Sequence, residues 1–312
     1  MRWLIVGAGA LGGYFGGRLL EAGEDVTFLL RERRLAQIRA SGLVIRSRSG
    51  DAHLPVPPCV LAKDISGPYD VVMLGCKAYD LESAMDSFAS AVGATTAILP
   101  VLNGLSHLNR LSARFGPGHV LGGLAMISAV LDGEGAVLHL NELHTLTYGE
   151  LDGSHSGRIR AIEAAFARAN FDGRASDAIM QDMWEKWVTI ATVAGATCLL
   201  RAAIGDIVKA NAADLSLALL DECAAIAAAN GFPMRPASRE RIRAFITNAD
   251  STMTASMLKD LERGSRSEGE HVIGDLIARA PASEPAPRLL HIVHAHLRAY
   301  EARRVRETAA AA

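Results

Sequence analysis

The residues of this 312-residue chain that could do chemistry begin with Gly7, Gly9 and Gly12 in "LIVGAGALGGYF", which follow a short apolar run and open a helical pattern. That context suits a dinucleotide turn. One glycine permits the tight turn, one lets a pyrophosphate approach the backbone and one lets the helix pack closely on the strand. About twenty residues further on, where an acid would hold a free ribose, the run "DVTFLL" leads instead into Arg31, Arg33 and Arg34. A guanidinium there suits a 2′-phosphate, so NADPH is expected over NADH. Glu32 argues the other way, and a solvated basic start to the next helix is the alternative.

Two more loops fall where an open parallel sheet presents ligands, at the carboxyl ends of strands. Lys77 follows "YDVVMLG" and Asn103 follows "TTAILPVL". Lys77 is one of five lysines in a chain with 27 arginines, which sets it apart from ordinary surface charge; helix capping is the alternative, and for Asn103-Gly104 a plain turn. Lys186 lies in "MWEKWVTIATVAGATCLL", where an ammonium facing the core would be costly and one facing a polar cleft would not. Snorkelling to solvent, or pairing with Glu185 or Asp182, is the competing reading.

The elements that must position these residues differ between the two halves. Residues 1–175 alternate short apolar runs with amphipathic stretches: Leu4–Val6, Val26–Leu30, Val71–Leu74, Thr96–Pro100, Val120–Ile127 and Ala136–Tyr148. This is the rhythm of an open α/β sheet, the last two runs being candidates for antiparallel additions. Residues 176–312 carry Ala/Leu-rich stretches with a period near 3.6 and should be all helical. The boundary is expected at an Asp172-Gly173 turn, before Ser176 or Asp177 caps a long helix, and the closing "ETAAAA" is expected to fray.

Half of the chain is hydrophobic, enough for a core in each half, and the net charge of −2 offers no basic field for nucleic acid or an anionic membrane. The four cysteines, Cys59, Cys76, Cys198 and Cys223, form no Cys-x-x-Cys pair and read as reduced thiols in cytoplasm. The first apolar run ends in a glycine turn rather than a cleavage site, so neither export signal nor membrane span is expected. His291, His294 and His296 do not all share one helix face, and no metal is expected.

Taken with "GAGALGGYFGGRL", "CKAYDLESA", "VLNGL", "WEKW" and "TASMLKDLERGSRSEGEHVIG", these motifs make the chain resemble the ketopantoate reductases, or 2-dehydropantoate 2-reductases, over nearly its whole length. The resemblance implies a Rossmann-type domain at residues 1–175, an all-α domain at 176–312, NADP as cofactor, and reduction of a 2-oxo acid to its 2-hydroxy acid, in pantothenate biosynthesis where the substrate is ketopantoate. By motif match, Lys186 looks like the family's catalytic lysine, Glu268 its catalytic carboxylate and Ser256 its substrate-binding hydroxyl. Lys77 and Asn103 match positions near the cofactor, and Asn103 also borders the substrate. Hydride delivery to a carbonyl builds negative charge on oxygen, so a cation that also donates a proton lowers the barrier twice, which suits Lys186.

The chain departs from the family at one place. One and two turns beyond the lysine, where better-known members carry asparagines, stand Ile190 and Ala194. Ketopantoate remains the first expectation, with another 2-oxo acid, or a different carbonyl or imine, as the alternative, and a non-catalytic dinucleotide sensor as the outside case. Thr189 and Thr197, on roughly the lysine's face, are candidate replacements for the lost contacts; threonines bonded to their own backbone are the alternative. The apolar helical half makes a homodimer plausible.

Overall fold

The computed structural model describes residues 1–282 and 288–311, and divides the chain into two compact units, Met1–Leu102 with His107–Met180 and Asn103–Ser106 with Gln181–Ala312. The first unit contains β1 (Arg2–Val6), α1 (Ala10–Glu21), β2 (Asp25–Leu29), α2 (Glu32–Ser41), β3 (Leu43–Arg46), β4 (Ala52–Leu54), β5 (Cys59–Val60), β6 (Val71–Leu74), α3 (Leu81–Phe88), β7 (Ala97–Pro100), α4 (Ser106–Phe115, whose first residue falls in the second unit), β8 (Leu121–Leu131), β9 (Val137–Glu150), α5 (Gly157–Phe166) and β10 (Asp172–Ala175). Its first sheet is parallel throughout, in the order β5-β2-β1-β6-β7. From Trp3 to Val6 and from Val71 to Leu74 every residue is buried, as strands covered on both faces require. The order in which strands are added changes side at β1, whose neighbours β2 and β6 lie on opposite sides. That point is where an open α/β sheet binds ligands.

Beside the expected open sheet stands a second one, ordered β10-β9-β3-β4 with β8 also on β9. The β8–β9 pair is the anticipated antiparallel addition, interrupted by a bulge between Ile127 and Ala129. Strands β3, β4 and β5 are too short to display an alternating period. The expected Asp172-Gly173 turn is instead the start of β10, paired in parallel with β9. Packing overrides local turn preference there: a Cβ on Gly173 would stand 2.6 Å from that of Phe166.

Helix α1 lies between the two sheets, and its glycines permit this. Cβ atoms on Gly16 would come within 2.8 Å of Ile5 and Phe28 in the first sheet, and on Gly13 and Gly17 within 2.9 and 2.7 Å of Val137 and Ile45 in the second. Each mid-helix glycine costs about 1 kcal/mol in propensity relative to alanine, and close packing on both faces offsets it.

The second unit is helical: α6 (Ile179–Leu200), whose first two residues fall in the first unit, α7 (Ile204–Lys209), α8 (Ala213–Ala229), α9 (Pro236–Ile246), α10 (Ser256–Glu262), a π-helical turn (Glu270–Gly274), α11 (Asp275–Ala278) and α12 (Arg288–Ala311). Helix α12 takes in the closing "ETAAAA", where fraying is expected, as far as Ala311; Ala312 lies outside the described residues. Near the start of α6, Glu185 is buried and accepts from the Arg235 backbone N–H and Nε, both at 2.8 Å, and from Ser238 Oγ at 2.6 Å. Burial disfavours its charge, but the Arg235 and Ser238 hydrogen bonds prevail and hold its pKa down at about 2. The folded pKa lies below the unfolded value, so this contribution is complete above about pH 4.5 and is lost as pH falls towards 2. Glu185→Gln should therefore destabilise the protein by about 2–3 kcal/mol at pH 7, with the gap to wild type narrowing below about pH 4.5 in urea titrations.

Candidate active site

In the first unit, Gly7 ends β1 with φ of +87°, a conformation that favours glycine, and its N–H donates to Leu29 O at 2.9 Å. A Cβ on Gly12 would stand 2.1 Å from Gly7 O, whereas one on Gly9 would meet nothing within 4 Å. The turn thus needs Gly7 and Gly12 for its own geometry and leaves Gly9 open. The N-terminus of α1 has no side-chain cap and no acid in its first turn, so its backbone donors suit an anion. These features fit a dinucleotide pyrophosphate. Gly75, which the sequence reading passed over, follows β6, and a Cβ there would lie 3.0 Å from Gly12 N. Lys77 comes two residues later, partly exposed, with its carbonyl accepting from Asp80 N at 2.9 Å.

The three arginines after β2 separate. Arg31 is exposed and directs its guanidinium to Asp80 Oδ1 at 3.2 Å and Ser83 Oγ at 3.3 Å, on the segment that follows Lys77. Arg33 is exposed. Arg34 turns inward: its Nε donates to Ala8 O at 2.9 Å, within the glycine turn, and its Nη1 to Gln37 Oε1 at 2.6 Å. Gln37 continues the chain of contacts to Glu134 O at 2.6 Å, and burial lowers the Arg34 pKa. Arg34 therefore belongs to the framework of the turn, while Arg31 and Arg33 stay on the surface.

In the second unit, the competing partners of Lys186 are already taken. Asp182 and Glu185 both pair with Arg235, which rules out the reading in which Glu185 simply neutralises its neighbour. Lys186 is partly exposed as a residue, while crowding by protein atoms brings its ammonium down to about 8, and the charge of Glu268 opposes that fall. Glu268 is itself buried, just ahead of the π-helical turn. Asn103 and Gly104 fold with this unit rather than with β7: Gly104 has φ of +75°, and a Cβ on it would stand 3.0 Å from His271 O and 3.9 Å from Trp187 Cε2. Ser106 Oγ lies 3.3 Å from His271 Nε2. The structure thus brings together Lys186, Glu268 and the Asn103 turn.

Ser256 is exposed at the first position of α10. The residue before it, Ala255, donates its N–H to Thr197 Oγ1 at 3.3 Å, so Thr197 ties this helix start to α6. Thr189 and Thr197 both donate their hydroxyls to carbonyls one turn back, Glu185 O and Val193 O, each at 2.7 Å. Each hydroxyl therefore has only acceptor capacity left. Ala194 is buried and Ile190 partly buried, so neither supplies a polar group on this side of α6. His294, from the histidine run, faces Glu270 at 3.0 Å. The π-helical turn itself was missed; its signal is the glycine pair bracketing "GEHVIG", since Cβ atoms on Gly269 and Gly274 would press Leu297 at 3.0 Å and His294 at 2.9 Å.

The sign of the Glu268 effect makes a testable statement. Lys186 should titrate near 8, and Glu268→Gln should move that midpoint lower, because removing the carboxylate leaves desolvation unopposed. NMR titration of ¹³C-labelled lysine reads this directly; an unchanged midpoint would separate the two groups.

Residues 3–153 match the family described as "Ketopantoate reductase PanE/ApbA", and residues 178–301 match its C-terminal family, "Ketopantoate reductase PanE/ApbA C terminal". An uncharacterized oxidoreductase, YkpB, from Bacillus subtilis is 37% identical over 97% of this chain and 99% of its own. The 2-dehydropantoate 2-reductase of Archaeoglobus fulgidus is 30% identical over 88% of this chain and 89% of its own. Among solved structures, a 2-dehydropantoate 2-reductase from Geobacter metallireducens superposes with a TM-score of 0.87 at 29% identity, covering 96% of this chain and 99% of that one. With an α/β Rossmann-type unit and an all-α unit, this chain is an oxidoreductase that belongs to the ketopantoate reductase family.

Proposed function

We propose that the chain reduces a 2-oxo acid to a 2-hydroxy acid with NADPH, and that ketopantoate is first among its substrates. The observation that carries this reading is Lys186, an ammonium with a pKa near 8 beside Glu268, in a chain with a dinucleotide turn. When bound at that turn, the nicotinamide supplies the hydride. Lys186 would stabilise the developing alkoxide and give it a proton, while Glu268 keeps the ammonium charged until transfer. Ser256 is assigned to the substrate, Asn103 to substrate and cofactor, and Lys77 and Arg31 to the cofactor. Because the acid must be protonated, reductive turnover should fall as pH rises through about 8. Lys186→Ala should lower turnover by about two to four orders of magnitude, and arginine should rescue poorly because it holds its proton.

Arg31 is the basis for NADPH over NADH, since it is exposed just after β2 and its guanidinium reaches the segment that follows Lys77. Arg31→Ala should weaken NADPH by about 1.5–3 kcal/mol and NADH far less; equal losses in fluorescence titrations would remove the phosphate contact.

A second substrate reading has its own support. With Ile190 and Ala194 apolar and Thr189 committed as a donor, a substrate tail that is itself a donor can still find Thr189 Oγ1, but a purely apolar tail leaves fewer polar groups unpaired. Comparing kcat/KM for ketopantoate with that for branched or aromatic 2-oxo acids lacking the hydroxyl decides between them. An advantage of about a thousandfold for ketopantoate would establish hydroxyl recognition, and parity would establish a shifted specificity. Pantothenate biosynthesis, a cytoplasmic location and a homodimer complete the proposal. No helix of the described residues is long and apolar enough to cross a membrane.

A further inference from the structure

Trp187 follows Lys186 in the chain and is 1% exposed. Its indole Nε1–H donates to Val272 O at 2.9 Å, a carbonyl inside the π-helical turn. The Val272 N–H donates in turn to Glu268 O at 2.9 Å, and the His271 N–H to the same oxygen at 3.0 Å. One side chain and one residue, Val272, therefore connect the backbone of Trp187, next to Lys186, to that of Glu268. Beside the donating nitrogen, Cε2 of the ring would lie 3.9 Å from an ideal Cβ on Gly104, an ordinary contact, while His271 O at 3.0 Å is what presses that position.

The orientation of the indole is fixed from its faces. Trp184 packs on it with centroids 5.1 Å apart, and the Arg279 guanidinium lies 5.4 Å from its centroid, itself paired with Asp275 at 3.4 Å. Of the charged and titratable groups around this cluster, Asp182 and Glu185 are held by Arg235, Asp275 by Arg279, and His271 faces Ser106. Glu268 is the carboxylate whose charge acts on Lys186.

We infer that Trp187 is a positioning residue, whose indole N–H sets the placement of Glu268 relative to Lys186. The inference rests on the Lys186–Glu268 reading above, so its test reads the lysine and not turnover. With five lysines in the chain, the ¹³C resonance of Lys186 can be assigned by its loss in Lys186→Arg. In Trp187→Phe the Lys186 midpoint should fall by about half to one pH unit, roughly a threefold to tenfold loss of proton affinity, because Glu268 is no longer held in place. Trp187→Phe combined with Glu268→Gln should titrate where Glu268→Gln alone does, since the indole acts through the carboxylate.

Incorporating 3-benzothienylalanine at position 187 keeps the bicyclic shape and replaces only the N–H by sulfur, so it avoids the cavity that phenylalanine leaves. It should reproduce the shift, while Trp184→Phe, a comparable loss of packing in the same cluster, should not. A midpoint unmoved by the sulfur analogue, or a double variant displaced by the sum of the single shifts, would overturn the inference. If the wild-type chain reduces no 2-oxo acid and these titrations behave as stated, the positioning role stands and the proposed reaction falls.

Discussion

An ammonium can sit among apolar side chains only if something offsets its lost hydration, and the helical unit is organised around that constraint. Helix α6 brings its own carboxylates, Asp182 and Glu185, close in sequence to Lys186, but Arg235 claims both. Had either paired directly with the lysine, the ammonium would be stabilised in place and a poor proton donor near neutrality. Instead the opposing charge comes from Glu268, carried on a separate segment, and the lysine is left between stabilisation and release.

The first unit obeys a different constraint, one of distance between backbones. Gly12 lies against the carbonyl of Gly7, Gly75 lies against Gly12, and the remaining glycines of α1 admit a sheet on each face. The glycine-rich opening therefore serves two purposes: its first half shapes a turn suited to phosphate, and its second half lets one helix serve as common core to two sheets.

Much of this was legible in the amino-acid sequence because it is written locally. The glycine turn, the strands of the first sheet, the helical second half and the lysine in an apolar helix all depend on residues close together in the chain. What escaped depends on long-range packing. Strand β10 forms where Asp172-Gly173 spells a turn because Phe166 and β9 reward the extended form, and β3 to β5 are too short for any periodicity to register. The attachment of Asn103 to the helical unit could not be read, since the residue directly follows a strand of the other one. Nor could the division of labour among Arg31, Arg33 and Arg34, whose side chains are chemically identical and differ only in where the helix start points them.

That division has an evolutionary consequence. Arg34 is threaded into the framework, joining Ala8 O, Gln37 and, through it, the hairpin at Glu134, where Gly135 leaves the room they occupy. Arg31 holds only surface contacts to Asp80 and Ser83, of a kind that adds little to stability. Mutation can thus explore position 31 almost freely while position 34 stays frozen by the fold. The charge displayed after β2 can change without eroding the scaffold beneath it.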